Sequence, residues 1–162
     1  MIKLINTLQF LEFMNEFNQY KSIVNISEIG IDGMKKIQAT KILVVGMGGL
    51  GCPVALYLAS SGVGQLGIMD DDTVEISNIS RQPLYGVHDG GKRKVDVAYV
   101  QLLRINPRIK IVPIKEKFSL ATGEKLVREY HYIIDCSDNF QTKLLINDLC
   151  RICKKNFVYG SI

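Results

Sequence analysis

A chain of 162 residues is one domain by length and long enough to bury a real core. Its 47% hydrophobic and 22% charged residues are the composition of an ordinary globular protein. A net charge of +4, spread over scattered basic residues, argues against a nucleic-acid surface, and no run approaches the roughly 18 apolar residues of a membrane-spanning helix.

The first segment carries Leu4, Leu8, Leu11 and Met14 at helical spacing, interrupted by Asn6, Gln9, Glu12 and Asn15. It reads as an amphipathic helix and not as a signal peptide. Residues 1–40 are therefore expected to form an N-terminal helical segment, with a second unit over 41–162. In that unit KILVVG (41–46) reads as a strand, 50–62 as a helix and QLGIMD (65–70) as a strand. A polar stretch runs to Gly91, and a helix over 92–106 is closed by Pro107. A strand over 109–114, a helix over 121–130, a strand over 131–136, a helix over 140–155 and a strand from 156 complete the order. Strands alternating with helices predict an α/β fold, a doubly wound, mainly parallel Rossmann-like sheet with helices on both faces.

Cys52, Cys136, Cys150 and Cys153 lie mostly in apolar segments with no secretory signal, which points to a reducing, cytoplasmic setting. Cys150 and Cys153 have C-x-x-C spacing, but one pair cannot complete a four-ligand zinc site. Cys150 reads as helix packing and Cys153 as incidental. His88 and His131 have no partners in sequence, and His131 at a strand start reads as structural.

The run from Gly46 to Gly51, G-M-G-G-L-G, falls where a strand turns into a helix, the context that gives this spacing meaning. Gly46 permits the turn, Gly48 lets phosphate approach the backbone, and Gly51 lets the helix lie close to the sheet. The helix start then offers N–H groups and a positive dipole end to an anion. Asp70 ends the second strand, where a carboxylate can hold ribose hydroxyls. To this point NAD, FAD and ATP fit alike.

The residues that follow separate them. Asp70, Asp71 and Asp72 stand in a row, with Arg81 and Lys94 downstream as natural partners of a triphosphate. Arg81 is the expected counter-charge to the aspartates, and Asp71 reads as a solvated loop residue. Asp138, after the fourth strand, lies where such folds bind ligand, and a carboxylate there suits Mg²⁺. A hydride-transfer enzyme needs none of this set.

The run GMGGLGCPVALYLASSGVGQLGIMDDDTVEISNISRQ resembles the ThiF/MoeB/HesA family, the adenylating half of ubiquitin-activating enzymes. The S-N-x-x-R-Q run (Ser77, Asn78, Arg81, Gln82), the I-N-P of 105–107 and the D-C-S-D-N of 135–139 match it in order. The resemblance implies ATP·Mg-dependent adenylylation of the C-terminal glycine of a ubiquitin-like sulfur-carrier protein of the ThiS/MoaD kind, by a homodimer. It implies ribose contact at Asp70, a place near the reacting phosphate for Asp72, triphosphate contacts at Asn78 and Arg81, and charge neutralisation by Lys94. Gly46, Gly48, Gly49, Gly51 and Gln82 complete the implied nucleotide-binding set. Asp138 is the implied magnesium ligand, and Arg81, Lys94 and Asp138 are the implied catalytic residues.

Two departures matter. Family members carry R-Y-x-R-Q upstream, where this chain has Gln19-Tyr20-Lys21-Ser22-Ile23, without the arginine that reaches the partner's ATP. The family also continues past G-S-I (160–162) through a cysteine nucleophile, zinc-binding pairs and the carrier-binding face. These leave open a non-catalytic nucleotide-binding or scaffold paralogue, and more remotely an NAD or FAD oxidoreductase.

Overall fold

A computed structural model describes residues 17–161, so the Leu4/Leu8/Leu11/Met14 face lies outside the described residues. The chain runs through α1 (Lys21–Val24), α2 (Gly30–Gln38), β1 (Lys41–Val45), α3 (Gly51–Ser60) and β2 (Gln65–Met69). It continues through α4 (Lys94–Ile105), β3 (Lys110–Ile114), α5 (Leu120–Glu129), β4 (Tyr132–Asp135), α6 (Phe140–Ile152) and β5 (Asn156–Tyr159). The polar stretch before Gly91 contains two 3₁₀ turns, Ile76–Arg81 and Val87–Asp89.

All five strands are parallel, in the order β3-β2-β1-β4-β5. The central strands are apolar on both faces because both faces are covered. Ile42, Val44, Leu66 and Ile68 pack toward α3 and α4, with Ala55, Ala59, Ala98 and Leu102. The alternate residues Leu43, Val45, Met69 and Ile133 pack toward α5 and α6, with Val127, Ile146, Leu149 and Cys150. The doubly wound expectation is thus borne out. Among the described residues no helix is long and apolar enough to cross a membrane.

Element ends differ from expectation for local reasons. The helix expected over 140–155 stops at Ile152, and Lys154 takes a left-handed φ of 52° that turns the chain into β5. Ser119 and Asn139 accept bonds from the N–H of Thr122 and Thr142, which fixes the starts of α5 and α6. His131 pairs with Lys41 twice, its Nδ1 accepting from the Lys41 N–H at 3.1 Å and its N–H donating to the Lys41 carbonyl at 2.9 Å. Cys150 is fully buried, and Cys153 packs against the same cluster.

A buried polar contact helps to tie down the segment before β1. Buried Asn106, from the I-N-P run, donates to the Tyr20 hydroxyl and to the Ala59 carbonyl, both at 2.8 Å. Tyr20, Phe17 and Met34 form a small cluster of their own.

The strand order places the site. The chain leaves β1 toward β2 and β3, then returns on the other side of β1 as β4. The carboxyl ends of β1 and β4 therefore open a crevice at the reversal, where doubly wound sheets take ligands.

Candidate functional site

The crevice has a volume of about 1020 Å³ and is walled by the loops after β1, β2 and β4. The glycine loop forms its floor. Gly46 has φ of +93°, and a Cβ there would lie 2.7 Å from the Cys136 carbonyl oxygen. At Gly51 a Cβ would sit 1.8 Å from the Gly46 oxygen, so the helix start admits no side chain. Gly48 and Gly49 are different. Cβ atoms there would touch nothing nearer than 3.9 Å and 3.6 Å, and both residues line the crevice. The N–H groups of Gly48, Gly49 and Leu50 find no acceptor among the described residues.

Asp70 braces this loop. Its Oδ2 accepts the Met47 N–H at 2.7 Å and its Oδ1 accepts the Asp72 N–H at 2.8 Å. Each oxygen keeps a further lone pair for a ligand.

The charges pair otherwise than expected. Lys94, expected at a helix start facing solvent or ligand, is only 6% exposed and donates to Asp72 Oδ2 at 2.8 Å. Burial works against its charge, but the bond to Asp72 and the Asp70 and Asp72 carboxylates outweigh it, and its pKa is raised. Asp71 is not simply solvated: Lys117 lies 3.7 Å from its carboxylate, and Arg93 donates to its carbonyl. Lys94 and Lys117, and not Arg81, are the counter-charges of the aspartates. Arg81 is exposed, runs beside Gly49 and has no hydrogen-bond or ion-pair partner among the described residues.

Asn78 lines the same wall and donates to Glu75 at 3.2 Å. Gln82 is 2% exposed, and its Oε1 is the buried side-chain oxygen left without a hydrogen bond among the described residues. A buried acceptor without a partner costs about 1–3 kcal/mol, so a donor supplied from the crevice fits this place.

The facing wall belongs to the loop after β4. Asp138 is exposed and lines the crevice, with no protein partner among the described residues. Beneath it lies a cluster that sequence reasoning missed, although it sits in the same D-C-S-D-N run. Asp135 is fully buried, its Oδ1 accepting the Ser137 N–H at 2.9 Å and hydroxyl at 2.6 Å. Lys143 stands 3.4 Å from Asp135 Oδ2, donates to the Gly160 carbonyl at 2.7 Å and lies 4.7 Å above the Tyr159 ring. The signal available was spacing: Lys143 comes one helical turn after Asn139, which caps α6.

Asp70, Asp71 and Asp72 also bring carboxylate oxygens within 4.8 Å of one another. Acid groups this close suit a hard cation, and Asp138 offers a further carboxylate across the crevice.

Comparison with known proteins identifies the family and agrees with the fold. Residues 20–162 match the ThiF family. The chain is similar to the adenylyltransferase and sulfurtransferase MOCS3 of Sus scrofa, with 41% identity over 147 residues, 91% of this chain and 32% of that protein. It is also similar to the probable adenylyltransferase/sulfurtransferase MoeZ of Mycobacterium tuberculosis, with 39% identity covering 91% of this chain and 38% of that protein. The chain thus spans about a third of the length of these relatives. Among solved structures, PaaA superposes with a TM-score of 0.80 at 29% identity, over 99% of this chain and 50% of that one. MccB of E. coli, crystallised with ATP, superposes with a TM-score of 0.73 at 27% identity, over 79% of this chain and 38% of that one.

Proposed function

Because the chain belongs to the ThiF family, we propose that it binds ATP·Mg²⁺ and adenylylates the C-terminal glycine carboxylate of a ubiquitin-like sulfur-carrier protein. The observation that carries this reading is the floor of the crevice. Free N–H groups of Gly48, Gly49 and Leu50 sit beside an unpaired Arg81 and a buried Lys94. Such an assembly suits a polyphosphate, and the nicotinamide of a hydride-transfer enzyme would leave the cations unused.

The chemistry is a charge problem. A glycine carboxylate oxygen attacks the α-phosphorus, the bond from phosphorus to the pyrophosphate oxygen breaks, and acyl-adenylate and pyrophosphate result. Both reactants are anions, so fixed cations and donors must offset their repulsion as charge moves onto pyrophosphate. Lys94 supplies a positive charge at a fixed place, held by Asp72. Arg81, free to turn, suits the outer phosphates, with Asn78 beside it. Asp70 is left to receive ribose hydroxyls, and the unpartnered Gln82 Oε1 to accept from a ligand donor or ordered water. The exposed Asp138, unpartnered among the described residues, has the hard oxygen chemistry to hold Mg²⁺; the ion would supply further neutralisation of phosphate charge. No side-chain nucleophile is needed for this half-reaction.

In this reading residues 41–162 are the adenylation unit, 1–40 a helical segment beside it, and the working assembly a homodimer. Exchange of radiolabelled pyrophosphate into ATP, dependent on a carrier protein with a free C-terminal glycine, tests the chemistry. Exchange without carrier dependence, or none with any carrier, speaks against it.

One observation favours a second reading, a nucleotide-binding subunit that supports a complete partner. Around buried Tyr20 the chain has Gln19, Lys21 and Ser22 where an arginine is implied, and a lysine lacks the bidentate fork that suits phosphate. ATP binding with carrier present and exchange absent would select it.

A further inference from the structure

The glycine loop contains one residue that is neither glycine nor part of the crevice. Met47 is fully buried, and both its backbone polar groups are held by side chains. Its N–H donates to Asp70 Oδ2 at 2.7 Å. Its carbonyl accepts the Tyr85 hydroxyl at 2.8 Å and the Cys52 thiol at 3.2 Å. Tyr85 and Cys52 are 4% and 0% exposed and do not line the crevice, so neither touches a ligand there.

The peptide between Met47 and Gly48 is trans, as are all others described. In a planar trans peptide the C=O and the following N–H point in opposite directions. Drawing the Met47 carbonyl down onto Tyr85 and Cys52 therefore turns the Gly48 N–H up, toward the crevice that Gly48 lines. Gly48 bears no side chain to resist rotation, and a flipped peptide would aim a carbonyl oxygen at the ligand. A carbonyl dipole in that place repels an anion.

We propose that Tyr85 is a positioning residue whose hydroxyl, supported by the Cys52 thiol, locks the Met47–Gly48 peptide with its N–H toward the bound phosphates. The part of this proposal that concerns phosphate rests on the ATP reading above; the lock itself does not. Burial keeps both donors protonated, raising the Cys52 thiol to about 11 and the Tyr85 phenol well above its ordinary value, so the lock holds throughout the neutral range.

Tyr85→Phe removes the hydroxyl and keeps the ring. It should weaken binding of ATP and of inorganic tripolyphosphate by roughly threefold to tenfold, the worth of one net hydrogen bond, and leave adenosine binding unchanged. Cys52→Ala removes the second donor and should give a smaller loss with the same ligand selectivity; it carries the test if Tyr85→Phe does not fold. An equal loss of adenosine affinity, or no loss for either phosphate ligand, overturns the proposal. If the wild-type chain binds no ATP, the functional reading fails while the lock stays testable without ligand. Tyr85→Phe should then shift the Gly48 amide resonance. An unchanged Gly48 amide overturns the lock.

Discussion

The wall of the crevice that follows β1 and β2 and the wall that follows β4 both come from strand ends, yet they are finished differently. On the first, Met47 is clamped at both polar atoms, both Asp70 oxygens hold backbone, and Lys94 is buried against Asp72. On the second, only the base is fixed, by buried Asp135 with Ser137 and Lys143. Its upper residues face water: Asp138 and Asn139 are exposed, and Phe140 is 73% exposed. A small, highly charged ligand gains from groups held in place before it arrives, because little ordering remains for binding to supply. An open wall suits a partner that brings its own surface. Under the proposed reading, the first wall is the nucleotide's, and the second offers Asp138 to it through the magnesium.

The largest effect should come from the floor they share. Gly51→Ala forces a Cβ toward the Gly46 oxygen and should cost about 3 kcal/mol, a fall in melting temperature of roughly 6–12 °C. Gly48→Ala meets open space instead and should change apo stability by less than about 0.5 kcal/mol while weakening ATP binding. Equal melting temperatures for the two variants would break the distinction between folding and binding glycines.

Next, Lys94→Met removes the fixed cation of the first wall while keeping its apolar stem. ATP affinity should fall by roughly tenfold to a hundredfold, the range for a charged hydrogen bond, as read by calorimetry. Affinity that survives intact would make Lys94 a structural partner of Asp72 only.

Alkaline titration should strain both walls together, since Cys52 lies under the first and Cys136 beside the second. Burial raises Cys52, Cys136 and Cys150 from 9.0 to about 11. Folded pKa values above the unfolded ones mean stability that is fully present below pH 9 and lost as pH rises toward 11. The raised Lys94 pKa acts in the same direction above 10.5. Denaturant midpoints measured from pH 7 to 11 should show a plateau and then this decline; a rise above pH 9 would contradict the burial argument.

The smallest expected change is the apo stability of Asp138→Ala. The residue is exposed and unpartnered, so unfolding should shift by no more than about 0.5 kcal/mol, while any magnesium-dependent gain in ATP affinity disappears. A large loss of apo stability would place Asp138 among the structural residues of the second wall.

The sheet was legible because buried parallel strands such as ILVV and LGIM are written as continuous apolar runs separated by helical patterns. The glycine loop was legible because turn, close approach and helix packing demand glycine at fixed offsets. The charge pairing was not. Lys94 meets Asp72 across 22 residues, through a loop whose path depends on the Thr73–Arg93 bridge, and nothing in the local sequence distinguishes that pairing from one with Arg81. Tyr85 was invisible for a related reason: in a polar stretch it reads as a loop residue, and only its fold places its hydroxyl under Met47. Asp135 ends an apolar strand next to the more exposed Asp138, and spacing alone does not say which of two nearby acids is buried.

Calorimetric titration of the chain with ATP, in the presence and absence of Mg²⁺, and with NAD⁺ tests the central claim most directly. The account predicts that ATP binds more tightly than NAD⁺ and that magnesium strengthens ATP binding further. Tighter binding of NAD⁺, indifferent to magnesium, would contradict it.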